Sequence, residues 1–147
     1  MNITIVGAGA WGTALGLVLH QNTHRITLWG HDPAHLAEAA AASENRRYLP
    51  DVPLPPGWRF ESDLAAATSD AEVLILSVPS RALREISSRL SSFSGLVVST
   101  TKGLEHSTGL TMCGILSQTM PEARTAALSG PSLAAEVARG APTAVAV

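Results

Sequence analysis

The hexapeptide Gly7-Ala8-Gly9-Ala10-Trp11-Gly12 constrains this chain more than any other feature. It follows a short β-branched run, Ile3-Thr4-Ile5-Val6, and opens a stretch over residues 11–21 with Leu15, Val18 and Leu19 on one helical face. Strand, glycine-rich turn and helix in this order form a cradle for the pyrophosphate of a dinucleotide. Gly7 allows the tight turn, Gly9 lets the backbone approach the ligand, and Gly12 lets helix and strand pack closely. The helix start adds unpaired N–H groups and the positive end of a dipole. A second apolar run at residues 26–29 completes a βαβ unit within about 30 residues, and its parallel strands require a right-handed crossover.

Beyond this unit the rhythm continues. Gly30-His31-Asp32-Pro33 reads as a turn, with Pro33 in the first turn of an alanine-rich helix over 34–42. Residues 43–59 carry four prolines between Pro50 and Pro56; no helix persists there, and the segment is expected to be a surface excursion. A short edge strand at 60–61 and a short helix at 63–67 follow, with Trp58 and Phe60 pinning the proline loop to the body. Strands at 73–78, 96–99 and 126–128 alternate with helices at 81–90, 110–120 and 133–139, and a last strand is expected over 143–147. Continuous apolar strands between helices predict an α/β fold: a Rossmann-type, doubly wound, mostly parallel sheet with helices on both faces. The chain stops inside an apolar run, from which the expectation is a first domain of a longer polypeptide.

Composition narrows the function classes. Of 147 residues only 15% are charged, and ten basic against twelve acidic residues give a net charge of −2. No Lys/Arg block is present to grip phosphodiesters, so nucleic acid is not an expected partner. The single cysteine, Cys113, rules out an intramolecular disulfide and offers no zinc spacing, so no metal is expected and a reducing compartment fits. Cys113 itself is expected to be a buried small hydrophobe. The apolar start lacks a basic n-region and is interrupted by glycines, unlike a signal peptide or a membrane span. A cytoplasmic protein without membrane insertion is the expectation.

Ligands of a doubly wound sheet gather beyond the carboxyl ends of its strands, and those ends carry the chemistry here. They are Pro79-Ser80, then Thr100-Thr101-Lys102-Gly103, then Ser129-Gly130-Pro131-Ser132. Lys102 is the only lysine against nine arginines; a compact, mobile ammonium in a small-residue turn suits a phosphate or a carbonyl oxygen. The serine turn offers hydroxyls at a helix start, with Ser132 as a favoured cap. The tip of the second strand has no carboxylate free for a ribose 2′-hydroxyl, because Asp32 precedes Pro33 and belongs to the turn. A 2′-phosphate meets no repulsion there and His31 stands beside it, so NADP(H) is expected to bind at least as well as NAD(H).

Taken in order, these segments resemble the bacterial NAD(P)-dependent glycerol-3-phosphate dehydrogenases over the whole chain. The resemblance is carried by Gly7-Ala8-Gly9-Ala10-Trp11-Gly12-Thr13-Ala14-Leu15, Leu28-Trp29-Gly30-His31-Asp32, Asn45-Arg46-Arg47-Tyr48-Leu49-Pro50, Val78-Pro79-Ser80, Thr101-Lys102-Gly103-Leu104-Glu105 and Ser129-Gly130-Pro131-Ser132-Leu133-Ala134. It implies reversible hydride transfer between NAD(P)H and dihydroxyacetone phosphate, giving sn-glycerol 3-phosphate for phospholipid synthesis. Cofactor contacts fall to Gly7, Gly9, Ala10, Trp11, Gly12, His31, Pro79, Lys102 and Ala134, and substrate contacts to Lys102, Gly130 and Ser132. Trp11 and Ser132 stand where other aromatics and Thr are also usual.

The resemblance further implies that residues 1–147 are the N-terminal NAD(P)-binding domain. The family's proton-transferring lysine lies in a helical C-terminal domain absent from this chain, and a homodimer of the longer protein is compatible with it. A carbonyl accepting hydride needs a proton or cation close by, so Lys102 is left as an electrostatic auxiliary and no catalytic acid is assigned here. Two other readings stay open on the residues alone: a related two-domain dehydrogenase for a hydroxyacid or ketopantoate-like substrate, and a non-catalytic nucleotide-sensing module.

Overall fold

The structure is a computed structural model describing all of residues 1–147. Its centre is a six-stranded sheet in the order β3-β2-β1-β4-β5-β6, with every neighbouring pair parallel. The strands are β1 (Asn2–Val6), β2 (Arg25–Trp29), β3 (Arg59–Glu61), β4 (Val73–Leu76), β5 (Leu96–Ser99) and β6 (Arg124–Ala127). Between them run α1 (Ala10–Gln21), α2 (Pro33–Ala42), α3 (Leu64–Thr68), α4 (Ser80–Ser88) and α5 (Met112–Thr119), and α6 (Ala134–Ala138) follows β6. This is the strand order of dinucleotide-binding doubly wound sheets, with the order reversing between β1 and β4.

The pleat divides the core in two. Ile3 and Ile5 of β1, with Val73 and Ile75 of β4, face α1 and α2, whereas Val6, Leu74, Leu76 and Val97 face α3, α4 and α5. Strands buried on both faces explain why they read as continuous apolar runs rather than as alternation. Helix starts follow local chemistry. The Asp32 carboxylate accepts from the N–H groups of Ala34 and His35 ahead of Pro33, Asp63 caps α3 through Ala66, and Thr111 caps α5 through Gly114. Asp32 therefore belongs to its turn, as its place before Pro33 implies.

Three expectations need correction. Residues 43–59 are not merely a surface excursion: Leu49, Val52, Leu54 and Trp58 are buried against α1 and α2, and Asn45 is wholly buried. The prolines prevent a helix, but apolar residues two to four positions apart still find the core. Residues 143–147 form no strand in the sheet; they are exposed, and an isolated antiparallel bridge ties Ala146 to Ser129 beyond the end of β6. Parallel pairing needs an open edge in register, and the segment instead doubles back on the serine turn. Cys113 is half-buried rather than buried, because it lies at the edge of the α5 face that buries Met112, Ile115 and Leu116.

Trp58 pins the loop as expected, and the reason lies on α1. A side chain at Gly16 would run into the indole, whose Cη2 stands 2.5 Å from where a Cβ would be. A helix-interior glycine costs about 1 kcal/mol relative to alanine, and the buried ring, 8% exposed, offsets it. Replacing Trp58 with alanine is expected to lower the free energy of unfolding by about 3–5 kcal/mol, measured by urea denaturation.

Candidate active site

A long cleft of about 700 Å³ lies outside the carboxyl ends of β1 and β4, where the strand order reverses. Its wall begins at the glycine-rich turn. Gly7 has φ +127°, and a Cβ there would strike the carbonyl of Ser77, in the segment leaving β4. A Cβ on Gly12 would strike the carbonyl of Gly7 and stand 3.0 Å from Ile5 Cγ2. Gly9 is different, since nothing lies within 4 Å of its missing side chain and the space opens into the cleft. Gly9 is also the N-cap of α1, and neither a capping side chain nor an acidic residue occupies that first turn. The orphan N–H groups and positive dipole end of a 12-residue helix are left for an anion. At about 700 Å³ the cleft is in the usual range for ligand sites, and its shape suits an extended diphosphate-bearing molecule.

A smaller pocket of about 300 Å³ adjoins it. Ala10, Trp11, Thr100 and Lys102 line both, so the two spaces meet at Lys102. Gly130, Ser132 and Ala134 line only the smaller one. The structure therefore brings the residues expected around a cofactor to one edge, with Gly7, Gly9, Ala10, Trp11, His31, Pro79 and Lys102 in the cleft. Gly12 stands behind the turn, and Ala134 lies across the junction. Lys102 Nζ donates to the Gly130 carbonyl at 3.0 Å, which fixes the ammonium between the two spaces.

Ser132 does not cap the last helix. The N-cap of α6 is Leu133, without a side-chain bond, and Ser132 Oγ is buried with no hydrogen-bond partner. A buried hydroxyl left unpaired costs about 1–3 kcal/mol, and this one sits in the lining of the smaller pocket.

Two networks hold the site, and neither was evident from the sequence. Asn45 Nδ2 donates to the Ala8 carbonyl at 3.0 Å and to Thr13 Oγ1 at 2.8 Å, while its Oδ1 pairs with His35 Nε2 at 2.9 Å. Thr13 Oγ1 in turn donates a hydrogen bond to the Gly9 carbonyl at 2.8 Å. With Asn45 oriented this way, His35 Nε2 carries the donor hydrogen. One buried amide thus ties the proline-rich loop and α2 to the glycine-rich turn. Tyr48 stands at the cleft rim, with the His35 ring edge-on at 5.1 Å and the Arg47 guanidinium 5.2 Å from its ring centre.

The second network secures the Lys102 turn. Arg84 of α4 grips Glu105 through two bonds, Nε at 2.6 Å and Nη2 at 2.7 Å, and reaches Gln118 of α5 at 3.0 Å. Thr108 Oγ1 also donates to Glu105. The guanidinium and that hydroxyl hold the Glu105 carboxyl down to about 2. Ser77 and Thr100 hydroxyls meet at 2.6 Å, and Thr101 Oγ1 donates to the Val78 carbonyl at 2.7 Å, joining the ends of β4 and β5 beneath the ammonium.

Comparison with known proteins places the chain. The sequence model described as NAD-dependent glycerol-3-phosphate dehydrogenase N-terminus matches residues 2–147. The chain belongs to this family. It is 42% identical over 149 residues to the glycerol-3-phosphate dehydrogenase [NAD(P)+] of Thioalkalivibrio sulfidiphilus, covering 99% of this chain and 45% of that protein. It is 39% identical to the enzyme of that name from Cronobacter sakazakii, covering 98% of this chain and 44% of that one. The crystal structure of glycerol-3-phosphate dehydrogenase from Coxiella burnetii superposes with a TM-score of 0.91 at 35% identity, over 98% of this chain and 45% of that one. The chain thus spans less than half the length of the curated relatives it matches.

The Glu105 contact has a pH signature. Its folded carboxyl is far below the ordinary 4.5, so the unfolded chain takes up its proton first as acid is added. The stabilisation is complete above about pH 4.5 and fades as the pH falls toward about 2. Glu105→Gln is expected to be less stable than the unmodified protein at neutral pH. The gap should narrow steadily below pH 4.5 in urea titrations, and a gap independent of pH would remove the ion pair from this role.

Proposed function

We propose that this chain forms the cofactor-binding part of an oxidoreductase that interconverts dihydroxyacetone phosphate and sn-glycerol 3-phosphate with NAD(P)H, in the cytoplasm and for glycerophospholipid synthesis. The observation that carries this reading is the position of Lys102, where the long cleft opens into a pocket holding an unpartnered buried hydroxyl. Membership of the family supports the chemistry.

On this reading the uncapped start of α1, with Gly7, Gly9, Ala10, Trp11 and Gly12, receives the pyrophosphate of the dinucleotide. His31 stands at the ribose end, and Pro79 and Lys102 border the reacting end, with Ala134 across from them. When bound, the nicotinamide supplies the hydride. Lys102, Gly130 and Ser132 hold the phosphorylated triol. Lys102 places a positive charge where negative charge develops on the substrate oxygen, and Ser132 Oγ has its hydrogen-bonding capacity free for a substrate oxygen. Thr100 and Thr101 keep the turn beneath Lys102 in place. The proton donor comes from residues outside these 147, so the isolated chain binds cofactor weakly and turns over little or nothing.

An activity screen on the complete protein tests this. Dihydroxyacetone phosphate is expected to be reduced, and dihydroxyacetone and 2-keto acids far less. Preference for a 2-keto acid would sink the proposal in favour of a related dehydrogenase. Lys102→Met should lower kcat/KM for dihydroxyacetone phosphate by about 10- to 100-fold, the worth of one charged hydrogen bond.

A further inference from the structure

The glycine-rich turn carries N–H groups on peptide units whose carbonyls are held from behind. Gly9 and Ala10 line the cleft, and neither N–H meets an acceptor within the protein. Every peptide bond is trans, so the N–H of each unit points away from the carbonyl that shares it. The Ala8 carbonyl shares its unit with the Gly9 N–H and accepts from Asn45 Nδ2 at 3.0 Å. The Gly9 carbonyl shares its unit with the Ala10 N–H. It accepts from Thr13 Oγ1 at 2.8 Å and from the Thr13 N–H at 3.0 Å. Thr13 Oγ1 accepts in turn from Asn45 at 2.8 Å. Fixing the two carbonyls fixes the direction of the two donors.

Asn45 has no exposed surface and lies outside the cleft lining, so it acts from the far side of the turn. The orientation of its amide is forced, because the Ala8 carbonyl can only accept and Nδ2 must face it. Its Oδ1 is then left for His35 Nε2 at 2.9 Å, in the helix start that Asp32 caps. The backbone around Asn45 is tied as well. Its carbonyl accepts from the Leu49 N–H at 2.7 Å, the Leu54 N–H donates to the Ser43 carbonyl at 2.7 Å, and an antiparallel bridge joins Glu44 to Pro53. Asn45 is thus held by protein bonds alone, and donors fixed in advance lose little freedom when an anion binds.

We propose that Asn45, acting through Thr13 and the Ala8 and Gly9 carbonyls, is a positioning residue that sets affinity for the diphosphate of the cofactor without touching it. The proposal rests on the reading of the cleft as a dinucleotide site. Glycine stands on both sides of Ala8, so the backbone itself restrains that unit least and an outside brace matters most there. An N–H turned away from a phosphate oxygen forfeits a charge-assisted hydrogen bond, about twice as strong as a neutral one.

The test is displacement of NADH from the complete protein by ADP-ribose and by adenosine, followed through the emission of Trp11 and Trp29, which line the cleft. ADP-ribose carries the diphosphate and adenosine does not. Asn45→Leu keeps the shape of the side chain and removes its donors without adding charge. It should weaken NADH and ADP-ribose by about 10- to 100-fold and adenosine by about twofold at most. Thr13→Val should weaken the first two by about three- to tenfold, whereas Thr13→Ser, which keeps the hydroxyl, should hold them within about twofold. Val52→Ala loosens the same loop in the core without touching the network. It should lower stability and leave all three affinities within about twofold. Equal losses of adenosine and ADP-ribose in Asn45→Leu, unchanged ADP-ribose binding in that variant, or a matching loss in Val52→Ala overturns the proposal while the cleft reading stands. If Asn45→Leu does not fold, the Thr13 pair decides, and equal affinities in its two variants overturn the proposal. Failure of the unmodified protein to bind NADH or ADP-ribose overturns both.

Discussion

Three stretches of backbone crowd together where β1 ends, α1 begins and the chain leaves β4, and two residues without side chains make that possible. Gly7 faces the Ser77 carbonyl, and Gly12 faces both the Gly7 carbonyl and Ile5. With a side chain at either position α1 would stand off from the sheet. Its N-terminus would then leave the edge where β1 and β4 diverge, and the anion-binding end of the helix would miss the crevice. The backbone ladder shows how tightly this is set, with Gly7 N–H reaching the Trp29 carbonyl and Ser77 N–H the Val6 carbonyl, each at 2.9 Å. Gly9 alone has clearance, so the same hexapeptide holds both the closest packing in the site and the opening into it.

That turn is braced from outside by a residue far along the chain. Asn45 satisfies the Ala8 carbonyl and Thr13 hydroxyl from a position with no exposed surface. A buried amide with all of these bonds made stiffens its surroundings, whereas a partial set would cost more than an apolar residue there. The proline-rich loop thus contributes to the site as a wedge: its apolar residues fill the core beside α1, and its one buried amide fixes the turn.

What could be read in the sequence follows from range. The parallel sheet was legible because both-face burial leaves continuous apolar strands, and the turn was legible because its three glycines and their flanks lie within a few residues. The convergence of Lys102 with Gly130 and Ser132 was legible through topology, since parallel strands deliver their carboxyl ends to one edge. Asn45 was not, because its partners Ala8, Thr13 and His35 come together only after the loop has packed. The Arg84 grip on Glu105 was not legible either, because it joins α4 to a turn 21 residues further along the chain. The serine turn misled for a similar reason: local chemistry favours Ser132 as a cap, but the chain starts α6 one residue later and leaves the hydroxyl buried without a partner in a residue that lines the smaller pocket.

The one lysine among nine arginines is explained by the same geometry. Its ammonium carries three donors on a flexible stem, and one of them goes to the Gly130 carbonyl. Two remain for whatever occupies the junction between the cleft and the smaller pocket. A guanidinium at the same place would present a rigid planar fork, and satisfying it against one carbonyl would turn its other donors along a fixed plane. Arginine does the opposite task, gripping a carboxylate as Arg84 does Glu105. The bidentate grip on Glu105 holds the turn, while the ammonium at its tip keeps two donors free. Placement comes from the arginine and adaptability from the lysine.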